Sequence, residues 1–182
     1  MVSAVWLLIP AALTALWIVR LPLPFARKAV ALVAVAHLTG VFALTFFPFP
    51  VDSSWPLSGF PQYVHPNLVP FATIGAALQD GPRSQDFRAL LGNALLLLPL
   101  GVYLPMLSAR YRRWWIVLLA AIALSTAIEL GQLLVSVVAL HIPYRSTDID
   151  DVLVNSAGAM AGYVLYLAAR PLAARRRELR AT

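Results

Sequence analysis

Five stretches of the chain are apolar almost without interruption: about Val2–Val19, Ala29–Phe47, Ala89–Leu107, Trp114–Leu140 and Val152–Ala169. Each approaches the roughly 20 residues that an α-helix needs to cross a bilayer core. The pattern therefore predicts an all-α fold: a polytopic membrane bundle of about five transmembrane helices. The only long connection, residues 48–88, follows the second span and is rich in proline and aromatic residues. Its Trp55, Phe60, Tyr63 and Phe71 suit the headgroup region, where a ring keeps one edge apolar and the other wet. This loop is expected to fold back over one mouth of the bundle, with a short helix at Ala72–Gln79. No internal repeat or soluble domain is visible, so residues 1–182 read as a single integral membrane domain.

Composition agrees with the pattern. The chain is 60% hydrophobic and 12% charged, about half the charge fraction of an ordinary soluble domain. It has no cysteine, which excludes disulfides, thiolate nucleophiles and Cys-ligated zinc. Its net charge of +6 has a better explanation than nucleic acid, which is not expected as a partner. Arg20, Arg27, Lys28, Arg110, Arg112, Arg113, Arg170, Arg175, Arg176, Arg177 and Arg180 all fall on one side of a five-span chain. The positive-inside rule makes that side the cytoplasm. The N-terminus is then outside, the C-terminus inside, and residues 170–182 form a basic cytoplasmic tail. The first apolar run lacks the basic n-region of a secretory signal peptide, so it reads as a retained helix. Asp52, Asp80, Asp86, Asp148, Asp150 and Asp151 lie in the outer segments or at outer helix starts. Carboxylates have little influence on topology, so this bias points to an outer face that uses them.

The spans themselves carry polar residues at helical spacing. Asp148, Asp151, Asn155, Gly158 and Gly162 are 3, 4, 3 and 4 apart and share one face of the fifth helix. Gly158 and Gly162 form a small-residue surface for close packing against a helix of this chain or of a second copy. Asp150 lies off that face and is read as a cap and anchor. In the fourth span Ser125, Glu129, Gln132 and Ser136 form a matching stripe. Glu129 is expected about 15 Å below the outer boundary, where an unpaired ionisable group costs on the order of 3 kcal/mol. The third span adds Asn93, and Pro99, which is expected to kink the helix. One outward-opening polar pocket, with Arg145 as the cation facing it, explains these positions together. A guanidinium fork there fits phosphate oxygens, or else neutralises Asp148 or Asp151. His37 is expected to be hydrogen-bonded in the core. His65 and His141 have no metal-ligand spacing, so neither a metal site nor a cofactor is expected.

Four segments, "NLVPFATI" (67–74), "LGNALLLLPLGVYLP" (91–105), "STAIELGQ" (125–132) and "RSTDIDDVLVNSAGAMAGY" (145–163), occur in that order. With the less specific "LTFFPFP" (44–50), they resemble the VanZ-like family of bacterial membrane proteins, over about residues 44–163. The all-leucine run before Pro99 departs from a phenylalanine common in relatives. The resemblance implies a multi-pass protein of the bacterial cytoplasmic membrane, associated with lowered sensitivity to teicoplanin at the cell envelope. It carries no settled reaction, so whether this chain is an enzyme stays open. Motif positions suited to a role are Asn67, Pro70, Asn93, Glu129, Gln132, Arg145, Asp148, Asp151 and Asn155. In one reading the pocket binds an anionic envelope lipid or a lipid-linked wall precursor. Arg145 then holds phosphate, and Asn67, Asn93, Gln132, Asp148 and Asn155 line the headgroup site. In a second, Glu129 is a general acid or base, with Asp151 beside it as a further catalytic group. Asp148 and Asp151 would there hold a divalent cation against phosphate. In a third, the polar stripes only hold helices together in a scaffold.

Overall fold

The computed structural model describes residues 4–47, 66–140 and 147–178. They form a 3₁₀ turn (Ala4–Leu7) and helices α1 (Leu8–Arg20), α2 (Phe25–Phe46), α3 (Ala72–Asp80), α4 (Gln85–Leu96), α5 (Leu98–Leu107), α6 (Trp114–Leu134) and α7 (Ile149–Glu178). A second 3₁₀ turn, Ala109–Arg112, precedes α6, and a π-helical run, Val135–Leu140, continues it. No β-strand occurs among the described residues.

Among the described residues, four apolar helices are long enough to cross a membrane: Phe25–Phe46, Gln85–Leu107, Trp114–Val137 and Ile149–Arg170. The first expected span is shorter, Ala4–Arg20. At 1.5 Å per residue it reaches about 25 Å, short of the roughly 30 Å hydrocarbon core. The short helix expected within the long connection is present as α3. The fifth expected helix is longer than its apolar run. It begins at Ile149 rather than Val152, since polar residues cap and form its first turn, and it continues to Glu178 through much of the basic segment.

Pro99 accounts for the break between α4 and α5. Without an N–H it leaves the Leu95 carbonyl without its helical donor. The chain turns at Leu97, where Leu100 N–H bonds the Leu97 carbonyl instead (3.1 Å). The Leu96 carbonyl is thereby released from the helix and meets His37 Nε2 at 2.9 Å. Nδ1 of the same ring lies 3.3 Å from the Tyr103 hydroxyl. His37 is thus hydrogen-bonded inside the bundle and ties α2 to the break.

α7 is the central helix and packs against α4, α5 and α6, whereas α1 packs chiefly against α2. Its small residues set the closeness of that packing. A Cβ at Gly158 would overlap the Ala94 carbonyl, and one at Gly162 the Leu98 carbonyl. On the facing helix, a Cβ at Gly101 would overlap the Ala159 carbonyl. Below the polar end, Ala34, Val41, Leu97, Leu100, Tyr103, Ala121, Ile128 and Ala159 form the apolar core.

Candidate functional site

The polar residues of α4, α6 and α7 meet where α7 begins, and the chain around Asn67 joins them. α7 starts level with Glu129, eleven residues short of the end of the α6 run at Leu140. A helix that starts beside another helix's interior has backbone N–H groups that water does not reach, and they need protein acceptors. Glu129 Oε2 accepts from Asp148 N–H (2.9 Å), and the Asn67 carbonyl accepts from Ile149 N–H (2.9 Å). Asp148 Oδ1 accepts from Asp150 N–H (2.8 Å), which makes Asp148 the N-cap of α7.

The start of α3 is satisfied in turn by α7. Asp150 Oδ1 accepts from Phe71 N–H (2.6 Å), and its Oδ2 accepts from Thr73 N–H (2.8 Å) and Ile74 N–H (3.1 Å). Phe71 takes a left-handed conformation, φ 68°, uncommon for a residue with a large side chain. The negative carboxylate also faces the positive end of the α3 dipole. Asn67 N–H bonds the Thr147 carbonyl (2.9 Å), completing a parallel bridge between the two irregular segments. Asn67 Nδ2 donates to both Asp148 Oδ1 and Thr73 Oγ1, at 2.9 Å each, and the Thr73 hydroxyl donates to Asp148 Oδ2.

This geometry divides the four carboxylates into two pairs. Asp148 and Asp150 accept three hydrogen bonds each and are 9% and 1% exposed. Glu129 accepts one from a backbone N–H, and Asp151 Oδ1 accepts one from Asn93 Nδ2. Glu129 Oε1 and Asp151 Oδ2 have no partner among the described residues. One turn below, Asn155 Nδ2 donates to Ser125 Oγ (2.8 Å), while Asn155 Oδ1 and Ser156 Oγ are buried without a hydrogen bond. Gln132 lies to one side and donates to the Thr45 carbonyl of α2 (3.0 Å).

Glu129, Asp151, Asn67, Asn93, Asp148 and Asn155 are therefore gathered at one end of α7, and Gln132 faces α2 instead. Arg145 lies outside the described residues, as do His65 and His141. Asp150 is an anchor, though for α3 as well as its own helix, a role that helical spacing does not reveal because its target is a loop. Thr73 and Ser125 join the network as partners of Asp148 and Asn155. The signal for Thr73 was its place in the "NLVPFATI" segment; for Ser125, it was its place four residues before Glu129. Among the described residues, no three His, Asp or Glu side chains converge as metal ligands. Both Asp148 oxygens are already engaged by donors from the protein.

These features define a helical protein of membrane type with a buried network of carboxylates and amides at one end of its bundle. A family model described as VanZ/LLP1 matches residues 34–170. The chain belongs to the VanZ/LLP1 family. No curated protein and no solved structure matched the chain.

Proposed function

We propose that the end of the bundle around Glu129 and Asp151 faces outward from a bacterial cytoplasmic membrane and receives the head of a phosphate-bearing envelope lipid or lipid-linked wall precursor. The carrying observation is the division of the carboxylates. Asp148 and Asp150 have their acceptors filled by the protein, whereas Glu129 and Asp151 each keep an oxygen free of described partners. Arg145, two residues before Thr147 in the sequence, supplies the phosphate contact in this reading. A five-crossing chain with the N-terminus outside is supported by the distribution of basic residues and needs Ala4–Arg20 to cross despite its length. Binding or altering surface lipids would link such a protein to reduced teicoplanin action.

Native mass spectrometry of the chain released gently from its own membrane tests this reading. A defined envelope lipid is expected on the wild type and absent from Arg145→Ala. Random bulk lipid on both would leave the polar network as helix capping alone.

A second reading, an enzyme on the same lipid, is favoured by the fixing of Glu129. Its Oε2 is held by a backbone N–H, so its second oxygen has a defined direction, as a general acid or base requires. Glu129→Gln keeps an acceptor for Asp148 N–H and removes the titrating group. It is expected to remain folded and to accumulate the bound lipid as unprocessed substrate. Occupancy unchanged from the wild type would rule out Glu129 as the catalyst.

A further inference from the structure

The arginines that precede α6 and the one that ends the apolar part of α7 lie at one end of the bundle. α4 and α5 run parallel to α7, since Asn93 bonds Asp151 and Gly101 lies against Ala159, whereas α6 runs antiparallel. The end of α5, the turn Ala109–Arg112 and the start of α6 are therefore beside the later turns of α7, away from the carboxylate network. α2 is also antiparallel to α7. Its Thr45 carbonyl meets Gln132, while His37, two turns earlier, meets Tyr103 of α5. Arg27 and Lys28, in the first turn of α2, thus belong to the same end.

Tyrosines of α7 hold two of the arginines in place. The Tyr163 hydroxyl donates to the Arg112 carbonyl (2.5 Å), and the Tyr163 and Tyr166 rings lie 6.1 Å apart. The Arg170 guanidinium stands over the Tyr166 ring, 5.8 Å from its centre, within the range of a cation–π contact. Tyr111 packs on the same pair together with Val117, and the Ser108 carbonyl accepts from Tyr111 N–H (3.1 Å), so the turn is fixed against α7. A guanidinium held over a ring keeps its N–H edge for oxygen acceptors. Arg110, Arg112, Arg113 and Arg170 are all exposed. No acidic side chain is described at this end. Asp80, Asp86, Glu129, Asp148, Asp150 and Asp151 belong to the other, and Glu178 follows Arg170 by about 12 Å along α7.

Next to the arginines, toward the middle of the bundle, the surface is apolar. Val164, Leu167 and Arg170 follow one another at three-residue spacing on α7, and Trp115 and Leu119 are four apart on α6. All four apolar side chains are exposed. A partner for this surface needs a negative head level with the arginines and apolar chains alongside the helices, a combination that soluble anions and nucleic acid lack. A zwitterionic head would bring an ammonium group to a surface where no described carboxylate receives it. We infer that this end of the bundle binds an anionic glycerophospholipid, its phosphate held by Arg112 and Arg170 and its acyl chains against Val164 and Leu167. The site is at the opposite end from Glu129 and Asp151 and does not depend on the function proposed for them.

The test uses the full chain in detergent with an equimolar mixture of phosphatidylglycerol and phosphatidylcholine, read by native mass spectrometry. Phosphatidylglycerol is expected to be retained about tenfold over phosphatidylcholine, the effect of one to two arginines at a headgroup. Arg112→Gln combined with Arg170→Gln, both at exposed side chains, is expected to erase most of that preference. Arg83→Gln combined with Arg88→Gln removes the same charge from exposed positions at the other end and is expected to leave the preference unchanged. Equal retention of the two lipids overturns the site, as does a preference that survives the first pair of substitutions. A preference that falls equally in both double variants reflects net charge alone and also overturns it. Glycerol 3-phosphate in excess is expected not to displace the lipid. Displacement would mean that the patch takes a free phosphate, and the lipid assignment would fail.

Discussion

Asp150 and Glu129 differ in what their oxygens do, and substitution separates them. Asp150, itself buried, stabilises three backbone N–H groups at the start of α3. Asp150→Asn puts an amide N–H against at least one of those donors. With hydrogen bonds to a charged group contributing about 1.5–3 kcal/mol each, a loss of about 3 kcal/mol is expected. The measurement is the unfolding midpoint in detergent. A midpoint unchanged from the wild type would mean that α3 is not held at its start by α7. Glu129→Gln, by contrast, retains the acceptor for Asp148 N–H, and a stability change below about 1 kcal/mol is expected. Opposite results for the two residues would exchange the structural and functional roles assigned to them.

Among the elements, α7 has the least freedom, because two of its glycines lie directly on the carbonyls of α4 and α5. Gly158→Val pushes two backbones apart, and backbone shifts of this kind cost about 1–3 kcal/mol or more. A lower unfolding midpoint is expected, together with loosening of the Asn93–Asp151 bond one to two turns above. At the α4–α5 break, His37→Leu leaves the Leu96 carbonyl and the Tyr103 hydroxyl without this partner. A loss of about 2 kcal/mol is expected, partly restored in His37→Gln, whose amide donates to the carbonyl. Much of this was legible in the sequence, because helix packing follows a fixed period. The 3-and-4 spacing of Asp151, Asn155, Gly158 and Gly162 put the right residues at the α7 interface, and Pro99 marked the break. The link between Asp150 and Phe71 was not legible. It joins residues 79 positions apart through loop backbone, where neither periodicity nor residue type indicates a partner. The start of α7 was displaced for a related reason: hydropathy responds to side chains, whereas helix starts are decided by where N–H groups find acceptors.

For the molecule as a whole, the number of crossings and the side of the N-terminus turn on the short apolar helix Ala4–Arg20. The chain has no cysteine, so single introduced cysteines report without background. If it crosses, a cysteine in place of Ala4 is labelled by an impermeant reagent added outside intact cells. One in place of Lys28 is then labelled only after the cells are opened. Labelling of both only after the cells are opened would reduce the bundle to four crossings and place the N-terminus in the cytoplasm. In either case α6 and α7 run antiparallel, since the capping network needs α7 to start beside the C-terminal half of α6.

The mutual capping of α3 and α7 also constrains biogenesis. The ribosome delivers α3 long before α7, and a translocon releases spans broadly in order of synthesis. Until residue 150 emerges, the amides at Phe71, Thr73 and Ile74 lack the carboxylate that receives them in the finished protein. The bonds that hold the start of α3 therefore form only after residue 150 has emerged. A nascent chain that stalls or is truncated before that point presents unmet backbone donors near the membrane surface, a feature that proteolytic surveillance can distinguish from the completed bundle.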